Sequence, residues 1–302
     1  MQLAFHTLDV FTAVRFGGNP LAVVLDAGGL GDEAMQAIAR EFNLSETVFA
    51  LPPAEPASTA RVRIFTPARE LPFAGHPTIG TAVLLAQLGH GSADQPGSTR
   101  IRLEEQVGPV EVTVRERESS APYAELRAPS LPRPSGRPPD DDALAALLGL
   151  AASEIGFDRH RPVVFGAGVP FLFVPLSSRQ ALSRARLDAV AWSRLAGDRD
   201  EAGTYLYCRG SSGEVDLHAR MFAPAAGISE DPATGSAAAA LPGPLCAATA
   251  LADGTHRWRV AQGEDMGRPS RIVVEADLAA GEPVAVRVGG RAVRITRGEL
   301  SA

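Results

Sequence analysis

A carboxyl, an imidazole and a second carboxyl stand in three short stretches of this 302-residue chain, each in a setting that suits proton transfer. Glu46 lies in NLSETVFAL. Read as a strand, the stretch puts Leu44, Glu46, Val48 and Ala50 on one face. A carboxyl among three apolar neighbours loses solvation, which raises its pKa and fits it for proton transfer near neutral pH. If that face is instead the solvent side, Glu46 is an ordinary exposed acid. His76 opens HPTIGTA and Asp231 opens DPATGSA, each followed by a proline. Asp is a preferred helix N-cap and Pro is favoured at the first helical position, so each pair is predicted to open a helix. Helix starts offer free N–H groups and a positive dipole end, and two of them facing each other would cradle a carboxylate. Gly75, Gly235 and Ser236 keep the backbone accessible and add a donor, with Ser45 and Thr234 as flanking substrate-binding candidates. Taken singly, Asp231 also reads as a plain cap and His76 as a loop histidine; the pairing of the two motifs favours the functional reading. Asn19 sits in a Gly-Gly-Asn-Pro turn, where Asn serves the conformation or presents its amide to a ligand. QGEDMGRPSRI, residues 262–272, is a Gly/Pro loop that borders the site or is only a turn.

The elements that must position these residues show a weak repeat. Gly18-Asn19-Pro20 followed by LAVVL is echoed by Gly168-Val169-Pro170 followed by FLFVP. RIFTP from Arg63 is echoed by RMFAP from Arg220, and HPTIGTA by DPATGSA, in the same order and at nearly constant spacing. A period this long implies two domains rather than a solenoid. LAVVL, SETVFAL and RVRIF read as strands. Met35, Ile38, Ala39 and Phe42 recur at helical spacing from Asp32 to Phe42, and Asn43 ends that helix. TIGTAVLLAQLG and GSAAAAL are helical and apolar on nearly every side, which predicts helices threaded through a surrounding sheet. RIVVEA and PVAVRV read as strands, and the terminal RAVRITRGEL returns to the first half. The expected fold is therefore α+β, two similar pseudo-duplicated domains, each a sheet or barrel around a central helix. They cover residues 1–120, joined by 290–302, and residues 121–302.

Composition removes several function classes. The chain has no lysine, so a pyridoxal phosphate Schiff base and a P-loop are both excluded. No GxGxxG follows a strand, and neither the two cysteines nor the six histidines have metal-ligand spacing. These absences leave no support for a metal site or for those cofactor sites. A net charge of −6 spread along the chain predicts no nucleic-acid or membrane partner. No leader-like or membrane-spanning stretch is seen, and a cytoplasmic location is expected.

The strings DVFTAVRFGGNPLAVV, NLSETVF, RIFTPARELPFAGHPTIGTA, EDPATGSA and QGEDMGRPSRI together resemble the PhzF-like, or phenazine-biosynthesis-like, protein family, in the right order through nearly the whole chain. The resemblance implies the diaminopimelate epimerase fold, a homodimer, and a cofactor-independent isomerase of a dihydro-hydroxyanthranilate-like acid, with its site in the cleft between the halves. It implies Glu46 as the residue that takes a proton from one carbon and returns it to another. His76 and Asp231 would assist, and Ser236 and the backbone around Gly235 would hold the substrate carboxylate. The related epimerases use paired cysteines at the two helix starts. Cys208 and Cys246 lie outside both segments here, which argues against a racemase of amino or hydroxy acids. A non-catalytic binding protein of the same fold stays open as a further alternative.

Overall fold

A computed structural model describes residues 1–117, 120–196 and 201–302. The chain divides into two compact units, residues 1–127 with 289–302, and residues 128–288. The first unit holds β1 (Gln2–Val10), β2 (Asn19–Val24), α1 (Asp32–Phe42), β3 (Glu46–Leu51), β4 (Ala60–Phe65), β5 (Glu70–Leu71), α2 (Gly75–Gln87), β6 (Ser92–Gln95), β7 (Ser98–Glu105), β8 (Gly108–Arg117) and β9 (Ser120–Arg127). The second holds β10 (Arg133–Pro134), α3 (Asp141–Leu148), β11 (Val163–Gly166), β12 (Pro170–Pro175), α4 (Arg179–Arg184), α5 (Ala189–Ala196), β13 (Thr204–Ser212), β14 (Val215–Ala223), β15 (Ile228–Asp231), α6 (Gly235–Ala240), α7 (Pro242–Ala248), β16 (Gly254–Gln262) and β17 (Ser270–Ala279). The last strand, β18 (Glu282–Ser301), begins in the second unit and runs on into the first. β9 lies past the division near residue 120 read from the sequence. It stays with the first unit because it pairs antiparallel with β8.

In the first unit the strands form a barrel. β18 pairs antiparallel with β1, β1 with β2, β2 parallel with β3, β3 antiparallel with β4, β4 parallel with β7, and β7 antiparallel with β8. β8 then pairs with β9, and β9 with β18, which closes the ring. Inside it runs α2, touching β1, β2, β3, β7, β8 and β9. Every α2 residue from Gly75 to Leu85 is buried, as a helix apolar on all sides requires. Gly80 lets the backbone approach the wall: a Cβ there would lie 2.6 Å from a Leu21 methyl and 2.7 Å from one of Val10. Outside the barrel, α1 buries Met35 and Ala39 against Val24, Phe49 and Phe65. It ends at Asn43, whose left-handed backbone (φ 50°) is one that Asn tolerates.

The second unit repeats the scheme of pairing. β11 pairs antiparallel with β12, β12 parallel with β13, β13 antiparallel with β14, β14 parallel with β16, and β16 antiparallel with β17. α6 packs on β11, β12 and β17. Leu144, Leu147 and Leu148 of α3, Leu182 of α4 and Trp192 of α5 share a core cluster with Val164, Leu172, Val174 and Leu206. Leu241, itself in helical conformation, separates α6 from α7, where Pro242 removes a backbone donor.

In each unit a matched device ties the short strand that precedes the central helix to its partner strand. Arg63 grips Glu70 with two bonds of 2.7 and 2.6 Å and lies 5.1 Å from the Phe65 ring centre. Arg220 grips Glu230 with two bonds of 2.8 Å and lies 4.8 Å from Phe222. Forked Arg–carboxylate pairs fix geometry as well as charge. Among the described residues no helix is long and apolar enough to cross a membrane.

Candidate active site

The first unit brings three of the expected residues together. Asn19 opens β2, Glu46 opens β3, and β2 and β3 run parallel with Leu21 opposite Glu46. His76 is the second residue of α2. The Asn19 amide donates to His76 Nδ1 at 3.3 Å, and His76 Nε2 stands 3.3 Å from Glu46 Oε2. All three side chains are buried, Glu46 with 9% of its surface exposed. Burial pushes the His76 imidazole down to about 3, so it is neutral across the physiological range. With Nδ1 accepting from Asn19, the ring proton lies on Nε2, which is close to the Glu46 carboxyl but makes no hydrogen bond to it. β3 is buried on both faces, so the alternative of a solvent-facing Glu46 does not hold.

The second unit builds a different arrangement. Asp231 ends β15, and Thr234 immediately precedes α6. The Thr234 hydroxyl donates to Asp231 Oδ2 at 2.6 Å. Gln262, fully buried at the end of β16, ties the turn together: its Nε2 donates to the Asp231 carbonyl at 2.8 Å and to Thr234 Oγ1 at 3.0 Å, and its Oε1 accepts from the Thr234 amide at 3.3 Å. Gly263 makes this possible. Its φ of 75° is left-handed, and a Cβ would strike the Pro232 carbonyl at 2.7 Å. The sequence left QGEDMGRPSRI as either a border of the site or a mere turn, and did not single out Gln262. The adjoining glycine was its one visible signal.

The helix starts correct one expectation. His76-Pro77 and Asp231-Pro232 do not hold equivalent places, and Asp231 is not an N-cap. α2 starts at Gly75 with Ala74 as N-cap, and α6 at Gly235 with Thr234 as N-cap, neither cap making a side-chain bond. The true correspondence is Glu70-Leu71-Pro72-Phe73-Ala74-Gly75-His76 with Glu230-Asp231-Pro232-Ala233-Thr234-Gly235-Ser236, strand end matched to strand end and helix start to helix start. Pro77 misled the register because it falls in the first turn of α2, where a missing N–H is never used by the helix. His76 therefore corresponds to Ser236, half-buried at the second position of α6, and Asp231 to Leu71. Ser45, also half-buried, directly precedes Glu46. Neither cysteine stands at a helix start: Cys208 is buried in β13 and Cys246 lies in α7.

Comparison with known proteins agrees with this architecture. The profile of the family described as phenazine biosynthesis-like protein matches residues 8–298. An "uncharacterized isomerase" of Mesorhizobium japonicum is 48% identical over 97% of this chain and 96% of its own. The trans-2,3-dihydro-3-hydroxyanthranilate isomerase of Pseudomonas aeruginosa is 34% identical, over 97% of this chain and 98% of its own. A crystal structure of a PhzF-family phenazine biosynthesis protein from Bacillus anthracis superposes with a TM-score of 0.88 at 24% identity, covering all of both chains. On these grounds the chain is an isomerase and belongs to the PhzF-like family of phenazine biosynthesis-like proteins.

Proposed function

We propose that this isomerase moves a proton, and with it a double bond, within a small unsaturated carboxylic acid of the dihydro-hydroxyanthranilate kind, using Glu46 as the base and no cofactor. The observation that carries the reading is a buried carboxylate set against a neutral imidazole. A cation beside a carboxylate weakens it as a base; a neutral ring orients it without that penalty. In the reaction a Glu46 oxygen takes a proton from one substrate carbon. The C–H electron pair becomes a new C=C bond, the old double bond shifts along by one carbon, and the Glu46 carboxyl, whose proton exchanges with water, delivers a proton to the far carbon. His76 stands beside the carboxyl with its Nε2 3.3 Å from Oε2, near enough to donate to it as the site engages substrate, and Asn19 holds His76.

Asp231 is assigned to substrate orientation and proton assistance. Ser236, Thr234, Ser45 and the backbone at Gly75 and Gly235 are assigned to the substrate's polar groups. The pairing scheme shared by the two units, their matched Arg–Glu forks and their matched helix starts support reading them as duplicated copies of one diaminopimelate epimerase-like unit. The experiment is proton NMR in heavy water against trans-2,3-dihydro-3-hydroxyanthranilate, related unsaturated acids and common amino acids. Deuterium entering an unsaturated acid at the carbon that gains hydrogen supports the reading. Deuterium entering only the α-carbon of an amino acid would replace it with racemisation.

A further inference from the structure

Glu105 closes β7, where Ile101, Leu103 and Glu105 alternate onto the buried face. An acid at the third place of such a row is out of keeping with its neighbours. It reaches the first turn of α2, where the Thr78 hydroxyl lies 2.6 Å from Glu105 Oε1 and 2.7 Å from the carbonyl oxygen of Ala74. Both contacts are short hydrogen-bond distances for O–H···O. Thr78 has one hydroxyl proton to serve them. If Glu105 were ionised, one of the two contacts would be a pair of lone-pair oxygens with no proton between them. If Glu105 carries its own proton, both are satisfied: Glu105 donates to Thr78, and Thr78 donates to Ala74. Ala74 is the N-cap of α2 and stands two residues before His76.

We propose that Glu105 is a positioning residue that acts as a neutral carboxylic acid, clamping the start of α2 through Thr78 and Ala74 and so fixing the His76 ring. The surroundings agree. Glu105 is 8% exposed, and burial pushes its carboxyl up to about 8 against the smaller opposing effect of the Thr78 bond. Glu104 belongs to the other face of β7, where the amides of Ala54 and Glu55 hold it and Arg61 is its cross-strand neighbour on β4. From β8, Gly108 stands opposite Glu105. The one ionisable residue in α2 is His76, which is neutral. The importance of the His76 ring rests on the proposed isomerase reading; the protonated state of Glu105 does not.

The test uses the whole protein without substrate. A carboxyl whose folded-state pKa is raised from 4.5 to about 8 gives stability that is present in full below 4.5 and lost as pH rises through about 8. Glu105→Gln keeps a donor and an acceptor and has no proton to lose. Its Tm therefore gains on wild type by at least about 3 °C between about pH 5 and pH 8.5. In nitrogen-15 spectra of the imidazoles, Glu105→Gln leaves the His76 resonances in place at neutral pH, whereas Glu105→Ala moves them. Parallel Tm curves for wild type and Glu105→Gln would overturn the neutral acid. Unmoved His76 resonances in a folded Glu105→Ala protein, or in Thr78→Val should Glu105→Ala not fold, would overturn the clamp. Both readouts stand whether or not any acid is isomerised.

Discussion

The two units carry one strand–turn–helix frame and fill it with opposite chemistry. In the first, the helix start bears a neutral imidazole between an amide and a carboxylate, and the long apolar side chains of α2 fill a closed barrel. In the second, the carboxylate stands on the strand side of the turn, within a network of Thr234 and Gln262, and α6 is built only of glycine, serine and alanine. The difference teaches that the frame sets positions and the unit sets the electrostatics. One unit offers a buried carboxyl with an uncharged partner; the other offers a carboxylate fixed by a hydroxyl and tied through its carbonyl to a buried amide. The forks show a similar asymmetry. Arg220 is almost fully buried and also caps α4, donating to the carbonyls of Leu182 and Ala185 at 2.9 and 2.8 Å. Arg63 is partly exposed and spends its third bond on exposed Asp32.

The largest expected effect comes from breaking that last contrast. Arg220→Ala leaves Glu230 and the α4 carbonyls without their donor in a dry setting and should cost about 3–5 kcal/mol. Arg63→Ala, at a partly exposed pair, should cost less, about 1–2 kcal/mol. Urea unfolding of both variants measures the gap, and equal losses would mean that the forks are interchangeable. Next, Gln262→Ala removes the tie between β16 and the Asp231 turn and should cost about 2 kcal/mol. The exchange reaction should fall with it, while the His76 imidazole resonances stay put, because that residue belongs to the other unit. The smallest effect is a pH dependence. The His76 pKa is depressed from 6.5 to about 3, so its contribution is full above 6.5 and is lost as pH falls toward 3. His76→Gln should therefore gain on wild type by up to about 2 kcal/mol between pH 6.5 and 5, since each unit is worth about 1.4 kcal/mol. No relative gain would mean that the ring protonates in place.

Much of this was legible in the chain because hydrophobic spacing is a local signal. The α1 helix emerges with its observed ends, since Met35 and Ala39 mark its buried face and Asn43 its stop. The central helix shows as an apolar run that only a surrounding sheet could bury, and Glu46, His76 and Asn19 carry the residue types that fit acid/base work. The register of the repeat was not legible. HP and DP look alike, but helix starts are decided by backbone bonding, and the better match, Glu-X-Pro-X-X-Gly, is built from residues with no common chemistry between them. Gln262 and Glu105 were hidden for a related reason. Each is a polar residue at the end of a strand, where alternation alone does not tell a buried partner from a surface one.

The central claim is that Glu46 moves the proton, and one comparison tests it most directly. Wild type and Glu46→Gln, both folded by circular dichroism, are incubated in heavy water with trans-2,3-dihydro-3-hydroxyanthranilate, or whichever unsaturated acid wild type turns over. Rate of deuterium entry and ligand affinity are then measured together. The account predicts that Glu46→Gln loses about 10²–10⁴-fold in rate while still binding the acid. A Glu46→Gln protein that exchanges at the wild-type rate would contradict it and place the base elsewhere in the chain.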